Sequence, residues 1–404
     1  MSELLPRLRL NLDFLPSPDP EHPGLYIRDP YRYSSSTLLV PPPLVQVLEC
    51  FDGCQSALDL RSELVRLTGE VQVGDLERHL FDSLDEAGFL ENDTYRKLKA
   101  EREAEFAGLA TREATFAGSA YPEDQSQLAT LLAARIGPLE GVSNVVGIAA
   151  PHASPDGGWA TYRAAYRSLP PAETAADRTF VVLGTSHYGA PDRFGLTRKN
   201  FITPFGEART NTKLVDELAA AAAGAVRMED YCHAVEHSIE FQIIFLQHFY
   251  GPNVRILPIL CGPFVKSIYE GGLPEHNDAV ARFCDALANI AAREGSQLFW
   301  ILGIDMAHIG RRYGDQRRAI ANSGEMLSVE QRDKARIARI AEGDRDGYWS
   351  LVQERHDDLK WCGASPLYTF LKVLPATRGE LLNYQQWQID PHSVVSFGAL
   401  QFTS

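Results

Sequence analysis

The sequence predicts an α/β protein with a mixed, mostly parallel sheet covered by helices, preceded by a small α+β domain. From residue 116 onward, short apolar runs rich in β-branched and aromatic residues alternate with amphipathic segments of helical length. Such alternation is typical of strands joined by crossover helices. Three of the apolar runs also end in a histidine, and they span residues 144–152, 179–187 and 298–308.

The three histidines, His152, His187 and His308, predict a metal site. In an open α/β sheet, ligands bind beyond the carboxyl ends of the strands, where these imidazoles are placed. A single histidine after a strand is more often a hydrogen-bonded loop or core residue, but three in the same topological position favour a site. Imidazole suits Zn, Fe and Cu alike, so the histidines do not select the metal.

Composition narrows the class of protein. The 404 residues are 45% apolar and 23% charged, which is typical of a soluble globular chain with two domains. The net charge of −14 argues against nucleic acid as a partner. We expect no membrane span and no signal peptide, because no apolar run is long enough and the first residues lack a leader's pattern. Six scattered cysteines form no disulfide framework, which favours the cytoplasm.

The chain divides into three predicted parts: a first domain at 1–95, a connecting helix at 96–115 and an α/β domain at 116–404. In the first domain we expect a hairpin followed by three helices and the start of a wing at residues 89–90. This order resembles the winged-helix peptide-recognition domains of the PqqD type, which hold a peptide against a strand edge. The predicted hairpin strands are 25–33 and 35–40, and the predicted helices are 44–51, 56–68 and 72–87.

The third of these helices argues against DNA binding, because five of its six charged residues are acidic. In the α/β domain we expect helices and strands in alternation. The helices are predicted at 124–136, 158–169, 212–223, 236–250, 277–294 and 329–341, and further strands at 254–260 and 392–402.

Carboxylates close to the histidines complete the candidate site. Asp305 precedes His308 by three positions and is predicted to be a ligand or to orient that imidazole. Glu236, His237 and Glu240 are predicted to open a helix and share one of its faces. Alternatively, the two glutamates favour a helix start through the macrodipole. The His-x-x-Glu spacing also occurs in zinc carboxypeptidases, which makes a zinc hydrolase a minor alternative.

The cysteines are predicted to be structural. Cys50 and Cys54 lie one turn apart without a second pair, so we expect them in the core. Cys362, between Trp361 and Gly363, is close to the predicted site in the order of motifs, but a buried structural thiol is the better prediction.

Six motifs in order carry a specific resemblance to the MEMO family, whose bacterial members are called AmmeMemoRadiSam system protein B. The resemblance covers residues 116–404 and implies a fold similar to the class III extradiol dioxygenases, which are non-haem iron enzymes. It also implies that His152, His187, His237 and the segment from Asp305 to His308 surround one cleft. The motifs are Ala117-Gly-Ser-Ala-Tyr-Pro122, Ala150-Pro-His-Ala153, Leu183-Gly-Thr-Ser-His187, Glu236-His-Ser-Ile-Glu240, Asp305-Met-Ala-His308 and Cys362-Gly363.

The chain departs from the family pattern at three places. Ser154-Pro155 follows the first motif in place of glycine and an aromatic residue, and Tyr188 replaces a second histidine. Ala307 stands before His308, where family members have cysteine or a small hydroxyl residue. We therefore expect no thiolate ligand here, and the third ligand is predicted to be His308, Asp305, His237 or Glu236.

The resemblance leads to two hypotheses for function. In the first, the protein is a metal- and peptide-binding component of an AmmeMemoRadiSam-type system, with a peptide bound by the first domain and a radical-SAM protein as partner. In the second, it is a non-haem iron dioxygenase-like oxidoreductase. There, His152, His187 and a carboxylate from Asp305 or Glu236 hold Fe(II). His237, His308 or Asp305 moves protons. Fe(II) is the expected metal, with Zn and Cu as alternatives.

Overall fold

The computed structural model describes residues 4–17, 19–142, 144–175 and 177–404, and residues 1–3, 18, 143 and 176 lie outside that description. The chain folds into two compact units, Met1–Gly108 and Leu109–Ser404, each with its own hydrophobic core. Across the described ranges, no helix combines the length and apolar character needed to cross a membrane.

The first unit joins a small antiparallel sheet to a set of helices. Leu25 pairs with Val40, which confirms the predicted hairpin. The backbone N–H of Ser56 donates to the Asp59 carboxylate over 2.8 Å, and Gly69 ends the same helix at φ 74°, as predicted. The elements are β1 Asp13–Pro16, β2 Leu25–Arg28, β3 Thr37–Val40, α1 Pro42–Val45, α2 Ala57–Thr68, α3 Gly74–Glu86 and α4 Asp93–Gly108.

Three predictions for this part of the chain were wrong in detail. The expected helix at 44–51 is the short α1 followed by a 3₁₀ turn, Gln46–Cys50. The expected wing strand is reduced to a single bridge between Leu8 and Leu90. The helix expected to reach residue 115 ends at Gly108, because glycine favours helix termination, and Thr111–Arg112 then forms a strand.

The second unit is built on one large sheet. Its strands are β4 Thr111–Arg112, β5 Val145–Ala150, β6 Thr179–Thr185, β7 Phe194–Leu196, β8 Asn200–Thr203, β9 Gly206–Thr210, β10 Val226–Met228, β11 Arg255–Cys261, β12 Leu298–Gly303, β13 His308–Gly310, β14 Arg378–Asp390 and β15 Ser393–Thr403. Its helices are α5 Gln125–Ile136, α6 Pro155–Arg167, α7 Ala172–Ala175, α8 Thr212–Ala221, α9 Cys232–Val235, α10 Glu240–Tyr250, α11 Val265–Glu270, α12 Asp278–Glu294, α13 Glu325–Ala341, α14 Arg345–Gln353 and α15 Ala364–Val373.

The sheet is mixed, as predicted. Its main path runs β13-β15-β5-β12-β6-β11-β9-β8-β4, with β5, β12, β6 and β11 as parallel neighbours and β15 antiparallel to β5. Gly303 at the end of β12 lies opposite both Ala150 of β5 and Gly184 of β6. The three apolar runs of the sequence therefore end side by side at one edge of the sheet.

Helices cover both faces of this sheet, which explains why its central strands are apolar throughout. Every residue of β6 and of β12 is buried. Gly303 allows the segment before α10 to come close, since a Cβ at that position would lie 2.1 Å from the carbonyl oxygen of Ser238. This close approach brings the loop that carries Glu236 and His237 to the same sheet edge.

Candidate metal centre

Three imidazoles converge at the carboxyl edge of the sheet. The ring centroids of His152 and His187 lie 5.0 Å apart, and each lies 5.1 Å from that of His237. The His152 side chain is 1% exposed, whereas those of His187 and His237 are 26% and 27% exposed. His152 is therefore the buried member of the cluster, whereas His187 and His237 are in contact with solvent.

The orientation of His152 is fixed by the neighbouring strand and the loop after it. Its Nδ1 donates to the carbonyl oxygen of Gly303 over 2.9 Å, and its backbone N–H donates to Oδ1 of Asp305 over 3.0 Å. Because Nδ1 carries the proton, Nε2 presents its lone pair to the cluster. That is the arrangement in which imidazole binds a metal.

Glu236 orients the other two imidazoles. Its buried carboxylate accepts the backbone N–H groups of His187, His237 and Ser238 over 3.0, 2.8 and 3.1 Å. It also lies 3.0 Å from Nδ1 of His187 and 3.2 Å from Nδ1 of His237. Since these contacts occupy both oxygens, Glu236 directs the ε nitrogens of the two rings away from itself.

The charges of this group are set by burial and by Glu236. Burial opposes ionisation, yet His187 and His237 hold the pKa of the Glu236 carboxyl well below its ordinary value. Burial would also lower the pKa of His187, but Glu236 raises it above the ordinary range. By contrast, burial lowers the pKa of His152 and of His237 to about 3, so both are neutral imidazoles at neutral pH.

Cys362 lies against two of these imidazoles and is not the purely structural thiol that we expected. Its Sγ is 3.3 Å from Nε2 of His152 and 3.5 Å from the carbonyl oxygen of Asp305, and it also contacts His187. Its carbonyl oxygen accepts from Oγ1 of Thr185 over 2.9 Å, which ties it to the end of β6. Burial raises the pKa of the thiol, while the hydrogen bond with His187 acts in the opposite direction.

The expectation that the replacement of a cysteine by Ala307 removes the thiol from the site was therefore wrong. The thiol comes from a loop near the end of the chain, 210 residues after His152. The only indication in the sequence was the Cys362-Gly363 motif within the family order.

Asp305 is a second buried carboxylate beside the cluster. It is 2% exposed, and its Oδ2 lies 3.6 Å from Nε2 of His152. Burial raises the pKa of this carboxyl above its ordinary value. It already accepts the backbone N–H of His152, so one oxygen positions that residue while the other faces the ring.

His308 stands apart from the ligand atoms. Its Nδ1 lies 2.9 Å from the carbonyl oxygen of Met306 and 3.1 Å from that of Lys360, and its ring centroid lies 4.9 Å from that of Tyr313. Burial lowers its pKa to about 4. His237 rather than His308 therefore completes the group of three imidazoles.

The segment from Glu236 to Glu240 is not the helix start that was predicted. Glu236 is an extended residue after α9, and α10 begins only at Glu240. The Glu240 carboxylate instead accepts from the guanidinium of Arg112, the hydroxyl of Tyr121 and two backbone N–H groups. The His-x-x-Glu spacing therefore does not form a pair of zinc ligands here.

Two overlapping sets of donor atoms fit a metal ion. One contains His152, His187 and His237, the other contains His152, Asp305 and Cys362, and within each set the donor atoms lie within 4.8 Å of one another. The δ nitrogens of the imidazoles are tied to oxygen acceptors, as in metal-binding histidines. The residues present thus fit a divalent metal ion.

Comparisons with known proteins agree with this architecture. The family model described as "Memo-like protein" matches residues 112–401. A MEMO1 family protein of Aquifex aeolicus is 26% identical over 382 residues, which is 93% of this chain and 95% of the relative. Another from Methanococcoides burtonii is 26% identical over 68% of this chain and 92% of the relative. A third, Ta0237 of Thermoplasma acidophilum, is 27% identical over 67% and 89% respectively. The chain therefore belongs to the Memo-like protein family.

Proposed function

We propose that this protein binds one divalent metal ion through His152, His187 and Cys362. This set combines two imidazoles of the first donor set with the thiol of the second. The observation that carries the proposal is the position of the Cys362 sulfur, 3.3 Å from Nε2 of His152 and in contact with His187. Two imidazoles and a thiolate form a donor set suited to Zn, Cu or Fe. Binding requires the thiol to lose its proton, so metal affinity is expected to rise with pH.

The neighbouring residues have separate roles in this proposal. Glu236 orients the rings of His187 and His237 from behind. Asp305 holds the backbone of His152 and offers one carboxylate oxygen as a further ligand. His308 packs against Tyr313 rather than serving as a ligand.

A second candidate function is a non-haem iron oxidoreductase of the dioxygenase type. The specific observation in its favour is that Oδ2 of Asp305 lies 3.6 Å from Nε2 of His152, so that a carboxylate is available to complete the set of two histidines and one carboxylate found in Fe(II) oxygenases. A metal bound there would supply Lewis-acid or redox chemistry. His237 is neutral and about a quarter exposed, so its ring is available to accept a hydrogen bond from a substrate hydroxyl.

Metal analysis of anaerobically purified protein tests the first proposal. We expect a near-stoichiometric transition metal in the wild type and its loss in His152→Ala, His187→Ala and Cys362→Ser. The matched controls are His22→Ala and Cys54→Ser, which change exposed residues of the first unit and should retain the metal. Wild-type protein that stays metal-free after reconstitution with Fe(II), Zn and Cu would contradict the proposal. Oxygen uptake with catechols separates the second candidate from simple metal binding.

We also propose that the first unit binds a peptide or protein partner, as its resemblance to PqqD-type domains implies. Two features support this: β1 and β3 form the edges of its sheet, and a cavity of about 380 Å³ lies between α2, α3 and the segment from Leu4 to Pro6. A radical-SAM protein is the predicted partner. Titration with an unstructured peptide tests this role, and an absence of binding at high micromolar concentration would remove it.

A further inference from the structure

Helix α13 carries two charged side chains into the core of the second unit. Asp333 is 0% exposed and Arg336 is 1% exposed, although they lie on a helix that is otherwise partly solvent-facing. Burying charged groups is costly unless hydrogen bonds and opposite charges satisfy them. The partners of these two residues therefore show which part of the structure they hold in place.

The Asp333 carboxylate accepts three hydrogen bonds from neutral donors. Nε1 of Trp361 donates to Oδ1 over 2.7 Å. The hydroxyls of Tyr384 and Ser396 donate to Oδ2 over 2.8 and 2.6 Å. Two of these three donors belong to or contact the loops that form the metal centre. Trp361 is the residue before Cys362, and Ser396 contacts the loop that carries Asp305.

The Trp361 side of the network fixes the loop before Cys362. The backbone N–H of Trp361 donates to Oδ2 of Asp357 over 2.9 Å, and Asp357 forms an ion pair with Arg336 over 2.7 Å. The Arg336 guanidinium also lies 5.2 Å from the centre of the Trp361 ring. Asp357 and Lys360 have φ values of 52° and 55°, a conformation that side chains disfavour, so this loop needs external contacts to keep its shape.

The Ser396 side fixes the loop that carries Asp305. Oγ of Ser396 accepts the backbone N–H of Ala307 over 2.9 Å while it donates to Asp333. The backbones of Ser396 and Ala307 are hydrogen-bonded over 2.9 Å, and Met306 donates to Ser396 over 2.8 Å. One carboxylate on α13 thus fastens both loops that flank His152.

We propose that Asp333 is a positioning residue that sets the distance between Cys362 and His152, and thereby the metal affinity of the cleft. This inference rests on the proposed metal site. Asparagine at this position fits less well, because the indole N–H of Trp361 can only donate and must face the amide oxygen. The amide NH₂ then faces the hydroxyls of Tyr384 and Ser396, which must turn, and the contact between Ser396 and Ala307 is disturbed.

The test compares variants that each remove one hydrogen bond from the network. Trp361→Phe removes the donor next to Cys362, and Tyr384→Phe removes a donor to the same carboxylate from β14. Trp349→Phe is a control for the change of ring size, since its buried indole donates to Ser267 over 2.7 Å. Co(II) is the probe, read by affinity and by the sulfur-to-metal charge-transfer band, with thermal unfolding to confirm that each variant is folded.

We expect Asp333→Asn and Trp361→Phe to lower Co(II) affinity about tenfold or more and to shift or weaken the charge-transfer band. Tyr384→Phe and Trp349→Phe should lose comparable thermal stability but keep affinity within about twofold. Wild-type affinity and an unchanged band in both Asp333→Asn and Trp361→Phe would overturn the positioning role while leaving the metal site intact. A wild type that takes up no Co(II) would overturn both this inference and the proposed function.

Discussion

Two glutamates four residues apart show how the same buried carboxylate can serve a site or a scaffold. Glu236 is 2% exposed and Glu240 is 0% exposed, and each accepts at least three hydrogen bonds. Glu236 faces His187 and His237, which are partly exposed and able to exchange protons or bind a metal. Glu240 faces Arg112, whose guanidinium is 1% exposed and always charged. The residues that each carboxylate contacts therefore determine whether it orients the imidazoles or stabilises the fold.

Replacing Glu240, the carboxylate that contacts Arg112, should have the largest effect on stability. Glu240→Gln leaves the Arg112 guanidinium buried without a matching charge, and we expect a loss of about 3 kcal/mol in the free energy of unfolding. Urea denaturation measures it. Replacing both partners, with Arg112→Met and Glu240→Leu, should recover part of the loss. A change below about 1 kcal/mol in Glu240→Gln would mean that the pair is not a structural element.

Replacing Glu236, the carboxylate beside the imidazoles, should lower metal affinity more than it lowers stability. Glu236→Gln removes the acceptor that orients His187 and His237, and we expect metal affinity to fall about tenfold to a hundredfold. The free energy of unfolding should fall by only about 1–2 kcal/mol. Metal titration and urea denaturation of the same preparations measure both quantities. If Glu240→Gln loses more affinity than Glu236→Gln, the distinction between the two carboxylates is wrong.

Acid should destabilise the metal-free protein through the buried histidines in and beside the metal centre. Burial lowers the pKa of His152 and His237 to about 3 and that of His308 to about 4, compared with about 6.5 in an unfolded chain. The unfolded chain therefore takes up these protons first, so their contribution to stability is complete above about pH 6.5 and is lost progressively as the pH falls, towards about 4 for His308 and about 3 for His152 and His237. Urea unfolding from pH 4.5 to 7 measures the slope.

His308→Gln provides the matched control for this pH dependence, because it removes one titrating ring that is not a proposed ligand. We expect its slope to be smaller than that of the wild type by up to one proton. His187 acts with the opposite sign, since its raised pKa adds stability that is lost as the pH rises above about 6.5. An unchanged slope in His308→Gln would contradict the assignment of His308 as a buried neutral ring.

Tyr121→Phe should lower stability less than Glu240→Gln does. It removes one donor to Glu240 but leaves Arg112 and two backbone N–H groups in place. We expect a loss of about 1.5 kcal/mol in the free energy of unfolding and no change in metal affinity. A change in metal affinity would show that the Glu240 region and the metal centre are linked.

The sheet and part of the metal centre could be predicted because their pattern is local. Three continuous apolar runs predicted the neighbouring strands β5, β12 and β6, and parallel strands necessarily end at the same edge. His152 and His187 follow from that rule alone. The same rule selected His308 as the third histidine, whereas the third imidazole of the cluster is His237, because the side chain that reaches the cluster depends on loop geometry.

Cys362 could not be predicted from periodicity, because it follows a loop with positive φ at four residues between 355 and 360. The contacts that fix this loop come from distant residues on α13, where Asp333 binds Trp361 and Arg336 binds Asp357.

Strand β14 was not predicted from the sequence, for a different reason. It is only partly buried and rich in glutamine, so it lacks the apolar alternation that indicates a strand.

The most direct test of the metal centre is X-ray absorption spectroscopy of the metal-reconstituted protein. The proposed ligand set predicts one sulfur scatterer at about 2.3 Å together with imidazole nitrogens at about 2.0–2.1 Å. Cys362→Ser should lose the sulfur contribution, whereas Cys54→Ser should keep it. A first shell of nitrogen and oxygen alone in the wild type would contradict the assignment of Cys362 as a ligand.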